Sequence, residues 1–426
     1  VRSKWIIGLL IAAMLALLGG CLSPPNAEAP SAPPAGDGGG KERQLVVLTN
    51  RVDLIDNGVF GQYARRFEEL HPGVTVQFEG LVNYTSDIML RLSTRTQGDV
   101  LLLPNNLKNE DLSRYFEPLQ EDIFYDVRFA DFKAHDGLRY GIAAGASTTG
   151  IVYNKKAFAD AGIREAPTTL DQFFEACRRL KEAGIVPVYL NYGAQWPLMI
   201  WGEDLVSYMS GDPEYLNKMA FSDEPWSLDN AWGEAIMIVR TLIEQGYVEE
   251  SLMSNQWEIS KTELAAGRAG MYLMGNWVIN QVLAAGADSQ DIGFFPFPYD
   301  NEPVRHAPLS PDWFVGISRF SSEKELAAEW VQFFVHDSGY VDDSGFLPVE
   351  ESKQSSLPQL EQFLSFRPIF LEKSVPSDKL LEIAASAQIS LWSGEYIQEW
   401  LAEPELDKVF DEYNRRWKEA RHLSES

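Results

Sequence analysis

Between Gln44 and Leu103 the chain switches repeatedly between two hydrophobic periods, and that switching restricts the fold more than any other feature. Gln44-Leu45-Val46-Val47-Leu48-Thr49 is a short apolar run that reads as a buried strand. Phe60, Tyr63, Ala64, Phe67 and Leu70 then recur at helical spacing, and His71-Pro72-Gly73 stops the helix. Val74, Val76 and Phe78 alternate as a second strand; a helix around residues 87–93 and the run Val100-Leu101-Leu102-Leu103 follow. A β-α-β-α-β order implies a parallel sheet with helices on both faces. In such sheets ligands sit at the carboxyl ends of the strands, which directs attention to the loops after Thr49 and after Leu103.

The middle of the chain repeats the pattern. Thr169-Leu170-Asp171-Gln172 reads as a capping box, with Thr169 as N-cap and Gln172 reaching back to it, opening a helix that runs to about Glu182. A strand is expected over 186–190, a helix over 258–266 and a strand over 269–274. Leu326, Ala327, Trp330, Phe333 and Phe334 mark a late amphipathic helix. The C-terminal stretch reads as helical, with Trp400, Leu401, Val409, Phe410 and Trp417 as packing positions.

At the N-terminus, Arg2 and Lys4 flank an apolar run from Trp5 to Leu18, too short for a spanning helix of ~20 residues. Residues 1–20 read as a signal peptide. Leu18-Gly19-Gly20-Cys21 resembles the lipobox of bacterial lipoproteins, which implies diacylglycerol attachment at Cys21. Residues 21–43 are then the lipidated cysteine and a Pro-, Ala- and Gly-rich tether, a composition that fits a Gram-positive cell surface.

The formal net charge of −26 argues against nucleic-acid binding and against docking on anionic lipid. With Cys21 lipidated, Cys177 has no partner, so no internal disulfide is expected; its place among Phe173, Phe174 and Leu180 reads as a buried apolar thiol. His71, His135, His306, His336 and His422 are scattered, no spacing resembles a zinc site, and no metal or cofactor is expected.

Several pieces of sequence carry a family resemblance. The longest is Tyr140-Gly141-Ile142-Ala143 followed by the run Thr149-Gly150-Ile151-Val152-Tyr153-Asn154-Lys155-Lys156-Ala157-Phe158, continued by Ala161-Gly162-Ile163 and Pro167-Thr168-Thr169. Others are His71-Pro72-Gly73-Val74, Gly98-Asp99-Val100, Ala266-Gly267-Arg268-Ala269-Gly270-Met271, Gly275-Asn276-Trp277 and Phe294-Phe295-Pro296-Phe297-Pro298. Together they resemble family 1 extracellular solute-binding proteins, the sugar-receptor components of bacterial ABC importers, among them the maltodextrin-binding proteins. Two departures stand out: Gly98 occupies a position where the family often has Pro, and Pro308-Leu309-Ser310-Pro311 replaces a commonly Gly-rich stretch.

The resemblance implies a two-lobed α/β fold of the type II periplasmic-binding-protein kind, each lobe a sheet flanked by helices, with the ligand in the cleft between them. The expected division is 44–148 plus 305–345 for one lobe and 149–304 plus 346–426 for the other. It also implies an oligosaccharide ligand, cleft closure on binding, permease partners in the membrane and a monomeric receptor.

A sugar offers apolar CH faces to aromatic rings and hydroxyls to carboxylates and amides. Trp277 matches the stacking position of maltodextrin-binding proteins. Trp196 sits in Asn191-Tyr192-Gly193-Ala194-Gln195-Trp196-Pro197-Leu198, which resembles the family's cleft loop, so Asn191, Tyr192 and Gln195 are candidates beside it; Trp196 either contacts ligand or packs in the core. Asn105 and Asn106 follow the third strand as sugar contacts or as a turn, and Asn50, Arg51 and Asp53 follow the first. Ser147, Thr148 and Thr149 lie at the lobe crossing, as ligand contacts or as hinge hydrogen-bond partners. Trp313 stands in the atypical segment; Tyr84 and Trp201 are weaker candidates.

An acidic, Trp-rich exported chain also fits a glycoside hydrolase, which needs two carboxylates at a fixed separation. Pairs such as Glu249/Glu250 and Glu350/Glu351 read instead as solvated surface, and there is no Gly-x-Ser-x-Gly elbow or phosphate-cradling glycine loop. A receptor for a non-sugar polar solute is the other alternative.

Overall fold

A computed structural model describes residues 43–81, 84–104 and 107–424. The leader, Cys21 and the tether, and the candidates Asn105 and Asn106, lie outside the described residues.

Residues 43–102 build the parallel unit that their periodicity implies. Strand Arg43–Thr49 pairs in parallel with Val74–Gly80 on one side and with Val100–Leu102 on the other. Helices Val59–Leu70 and Tyr84–Thr94 make the connections, and the first buries Phe60, Tyr63, Ala64 and Phe67. Gly98, in the turn before the third strand, has φ +75°, where a Cβ would come within 2.7 Å of Leu48 Cδ1. Proline is locked near −65°, so this turn excludes the residue more usual there.

The sheet is completed from far along the chain. Strand Phe314–Ser318 enters antiparallel beside Val100–Leu102, and Phe116–Glu117 and Ile142–Ala143 pair with it. The periodicity reading contains no strand at 314–318. It is buried throughout, so it carries no alternation, and Gly316 breaks its short apolar run.

The second sheet has the order Val186–Val188, Ala269–Gly275, Thr149–Asn154, Ile292–Phe295, with only the first pair parallel. Its leading helix, Leu170–Glu182, is capped as expected where Thr169 Oγ1 accepts the Gln172 N–H at 3.2 Å. The reciprocal half is displaced by one residue, because Gln172 Oε1 accepts the Thr168 N–H at 2.9 Å. Cys177 is fully buried on this helix, and burial pushes its thiol pKa up.

Two hydrophobic cores result. One draws on residues 45–146 and 309–349, the other on 151–307 and 360–420. The chain thus passes between cores three times. At the crossings a third sheet forms, with His306–Pro311 between Ala146–Ser147 (antiparallel) and Ile369–Glu372 (parallel).

Of the 12 tryptophans, Trp201, Trp226, Trp232, Trp330, Trp400 and Trp417 are fully buried. Trp226 meets the rings of Trp232, Trp400 and Trp417 edge-on at 5.3–6.3 Å, so much of the indole content serves the second core rather than a ligand. Trp201 belongs to this group, which removes it as a ligand candidate.

Candidate functional site

Three partly exposed indoles gather at the seam between the cores. Trp277 follows strand Ala269–Gly275 at the head of helix Val278–Ala284, and it packs against both cores. Trp196 lies 6.0 Å from it between ring centroids and Trp257 lies 5.9 Å away; Trp196 and Trp257 meet edge-on at 4.9 Å. Gly275 is required here, since a Cβ on it would sit 2.2 Å from Trp277 Nε1. Trp257 opens helix Trp257–Ala265 with Lys261 Nζ 5.0 Å from its ring centre. It has no counterpart among the sequence candidates, and an indole at a helix start gives no periodic signal.

The loop carrying Trp196 is held from two sides. Asn191 and Gln195 both adopt positive φ, at 55° and 63°. Glu249 accepts the Leu190 N–H at 2.7 Å and the Tyr192 N–H at 3.1 Å. This corrects the solvated reading of Glu249: it is buried, and burial raises its pKa. On the other side, Gln398 donates to the Tyr192 carbonyl at 2.9 Å, while its side-chain oxygen accepts from Gln195 at 2.8 Å. Gly394 allows the close approach, since a Cβ there would meet the Gln195 carbonyl oxygen at 2.1 Å.

Within this loop Asn191 is wholly buried, its amide beside the Tyr272 hydroxyl. Tyr192 is buried and donates its hydroxyl to the Gln398 carbonyl at 3.1 Å. Of the four candidates in this loop, Gln195 and Trp196 are the partly exposed ones.

Asn276 ties the crossing together. Its Oδ1 accepts the Thr148 N–H at 2.7 Å and its Nδ2 donates to the Gly345 carbonyl at 2.6 Å. Thr148 is almost wholly buried, and Ser147 Oγ lies 3.3 Å from Ser310 Oγ. Thr149 is buried at the start of strand Thr149–Asn154.

The first core contributes different chemistry. After strand Arg43–Thr49, Asn50 Oδ1 is buried without a hydrogen-bond partner. Asp53 is engaged by Arg51, whose Nε and second terminal nitrogen donate to the two carboxylate oxygens at 2.8 and 2.7 Å. Trp313 is partly exposed and meets Tyr84 edge-on at 5.4 Å. Tyr84 itself is buried, with its hydroxyl bonded to the backbone of Leu102.

Glu350 also departs from a solvated reading. It is buried beside His336 Nδ1 at 2.7 Å and Lys353 Nζ at 2.6 Å. No group of three or more His, Cys, Asp or Glu among the described residues could hold a metal. A surface groove of about 470 Å³ lies among Glu399, Glu403, Glu405, Lys408 and Glu412, and none of the seam indoles lines it.

Known proteins share this fold. A binding protein of an ABC transporter from Bifidobacterium animalis subsp. lactis, solved with mannobiose, superposes with a TM-score of 0.79 at 26% identity, covering 90% of this chain and 95% of that one. RafE, known from Streptococcus pneumoniae and solved with raffinose, gives a TM-score of 0.72 at 16% identity, over 89% of this chain and 99% of that one. The diacetylchitobiose binding protein DasA of Streptomyces coelicolor is 26% identical over 232 residues, 52% of each chain, so the chain spans about half the length of that relative. A putative binding protein of Brucella abortus is 23% identical over 363 residues, 79% of this chain and 85% of its own. Residues 53–339 match the family model for bacterial extracellular solute-binding proteins, and the two-lobed fold of these neighbours is the fold described above. The chain belongs to the bacterial extracellular solute-binding protein family.

Proposed function

We propose that this chain is the receptor of a bacterial ABC importer that captures an oligosaccharide in the cleft between its lobes and delivers it to a permease. The observation that carries the reading is the group of partly exposed indoles Trp196, Trp257 and Trp277 at the seam of the two cores. Indole faces match the CH faces of pyranose rings, and Trp277 follows the carboxyl end of strand Ala269–Gly275, the end of a strand at which α/β sheets bind ligands. The mannobiose complex of a 26% identical protein with 95% coverage supports a short oligosaccharide.

The proposed lobes are 44–148 with 305–345 and 149–304 with 346–426. Closure is driven by the ligand's better contacts in the closed state. The receptor acts as a monomer with two permease subunits and an ATPase, and it catalyses no reaction. Lipid attachment at Cys21 on the outer face of the cytoplasmic membrane is supported by Leu18-Gly19-Gly20-Cys21. No helix among the described residues is long and apolar enough to cross a membrane.

The test is thermal unfolding of residues 22–426 against mannobiose, mannotriose, diacetylchitobiose, raffinose, polyols and amino acids. A ligand at 100 times its Kd adds ~2.7 kcal/mol of stability. A shift with one saccharide, recovered unaltered, supports the reading. A shift only with a non-sugar, or recovery of a cleaved sugar, replaces it with a different receptor or with a hydrolase.

A further inference from the structure

The last crossing into the first core narrows to two residues, Asp312 and Trp313, between strands His306–Pro311 and Phe314–Ser318. Both are fixed by backbone hydrogen bonds to the neighbouring crossing. The Asp312 N–H donates to the Gly145 carbonyl at 2.8 Å, and the Trp313 carbonyl accepts the Ala144 N–H at 2.8 Å. Pro311 precedes them and restricts φ at the approach. The two side chains therefore leave a rigid backbone at the seam.

The Asp312 carboxylate lies at the seam, partly desolvated, and makes no hydrogen bond to another side chain among the described residues. Burial pushes its pKa up to about 6, against the opposing effects of the Trp313 N–H, which it accepts, and of the Arg51 guanidinium. The residue still has part of its surface open to solvent. Among the described residues it forms no ion pair. Arg51, the cation facing it, is committed to Asp53 through two hydrogen bonds and to Ser344 Oγ at 2.9 Å. Tyr340, buried with Arg51 6.0 Å from its ring centre, is the other titratable group facing Asp312.

An ionised carboxylate offers about four lone-pair sites, and one backbone N–H uses one of them. Partly desolvated beside the seam, such a group gains from a ligand that supplies donors. Trp313 beside it provides a partly exposed aromatic surface. A hydroxyl-bearing ring seated on that indole brings donors to the carboxylate, and carboxylate–hydroxyl hydrogen bonds are the strong, charge-assisted kind.

We propose that Asp312 is a specificity-determining residue of the ligand site, accepting hydrogen bonds from adjacent hydroxyls of a sugar ring seated against Trp313. This rests on the oligosaccharide reading above. It adds a selection rule: the receptor discriminates against saccharides lacking one of those two hydroxyls, and its grip weakens when Asp312 is protonated.

The experiment is calorimetric titration with mannobiose, mannotriose, diacetylchitobiose and raffinose on wild type, Asp312→Asn and Trp277→Ala. The expected result is about a 10- to 100-fold loss of affinity in Asp312→Asn, the range of charge-assisted hydrogen bonds, with the unliganded melting temperature kept or raised. Wild-type affinity should fall between about pH 7.5 and about pH 5, while Asp312→Asn stays flat over that range. Monodeoxy analogues of the bound sugar should lose affinity for wild type and much less for the variant. Asp312→Asn binding as wild type while Trp277→Ala binds poorly overturns the role of Asp312 and leaves the oligosaccharide reading standing. If Asp312→Asn does not fold, a pH-independent wild-type affinity overturns the proposal by itself. Absence of binding to every saccharide overturns both.

Discussion

Replacing Trp277 with alanine tests the aromatic site directly, provided stability and affinity are read separately. In the free protein the indole touches Trp196 and Trp257, at 6.0 and 5.9 Å, and packs against both cores. Each aromatic pair contributes about 0.5–1.5 kcal/mol beyond buried area, and the ring is only partly buried, so a loss of roughly 2–3 kcal/mol of unfolding free energy is expected. The ligand effect comes from the exposed face. An aromatic side chain presents 150–250 Å² in all, so one stacked face covers about 60–80 Å². At about 25 cal/mol per Å² that is roughly 1.5–2 kcal/mol, or about a 10- to 30-fold rise in Kd. The assay is isothermal titration with whichever saccharide stabilises wild type, alongside unfolding of the unliganded variant. Trp226→Ala is the control, because Trp226 is buried in the second core and should lose stability without losing affinity in its folded fraction. A Kd for Trp277→Ala within about twofold of wild type would refute stacking on this ring. Double variants with Trp196 or Trp257 should be non-additive, since the rings touch.

The remaining predictions concern the supports of the site and the buried carboxylates. Gly275→Ala should weaken binding as Trp277→Ala does, because its Cβ would lie 2.2 Å from Trp277 Nε1 and force the ring to move; titration with the same saccharide checks this. Glu203 is fully buried, and burial pushes its pKa from 4.5 to about 7, so the folded state holds this proton more tightly than the unfolded chain. Its contribution is fully present below about pH 4.5 and erodes by up to about 3 kcal/mol by pH 7; urea unfolding of Glu203→Gln should lack that decline. Glu350 has the opposite sign. Burial would raise its pKa, yet His336 and Lys353 hold it at about 2, so its stabilisation is present above about pH 4.5 and lost as pH falls through about 2. Glu350→Gln should therefore cost roughly 2–3 kcal/mol in urea unfolding at pH 7 and almost nothing near pH 2.

The local architecture was legible wherever one element showed its own period. Helices Val59–Leu70, Leu170–Glu182 and Lys324–His336 carry their buried residues along one face, and strands Arg43–Thr49 and Val100–Leu102 stand out as short continuous apolar runs. The place of Trp277 after a strand end was legible too, through Gly275-Asn276-Trp277. Strand Phe314–Ser318 was not, because it is buried on both faces without alternation and Gly316 breaks its apolar run.

Tertiary structure alone decided which polar groups are spent and which remain open. Glu249 resembles Glu250 in sequence, yet Glu249 is buried and holds the Trp196 loop through two backbone N–H groups, while Glu250 is exposed. Asp53 and Asp312 are both acidic residues near a strand end; Arg51 reaches the first with two hydrogen bonds and leaves the second without an ion pair. Trp257 joins Trp196 and Trp277 only because its helix is laid beside strand Ala269–Gly275. The physical reason is one of range. Period, capping and turn chemistry act over a few residues, so the sequence carries them openly. Desolvation and charge pairing depend on groups up to 293 positions apart, as between Arg51 and Ser344, and only the folded packing brings those together.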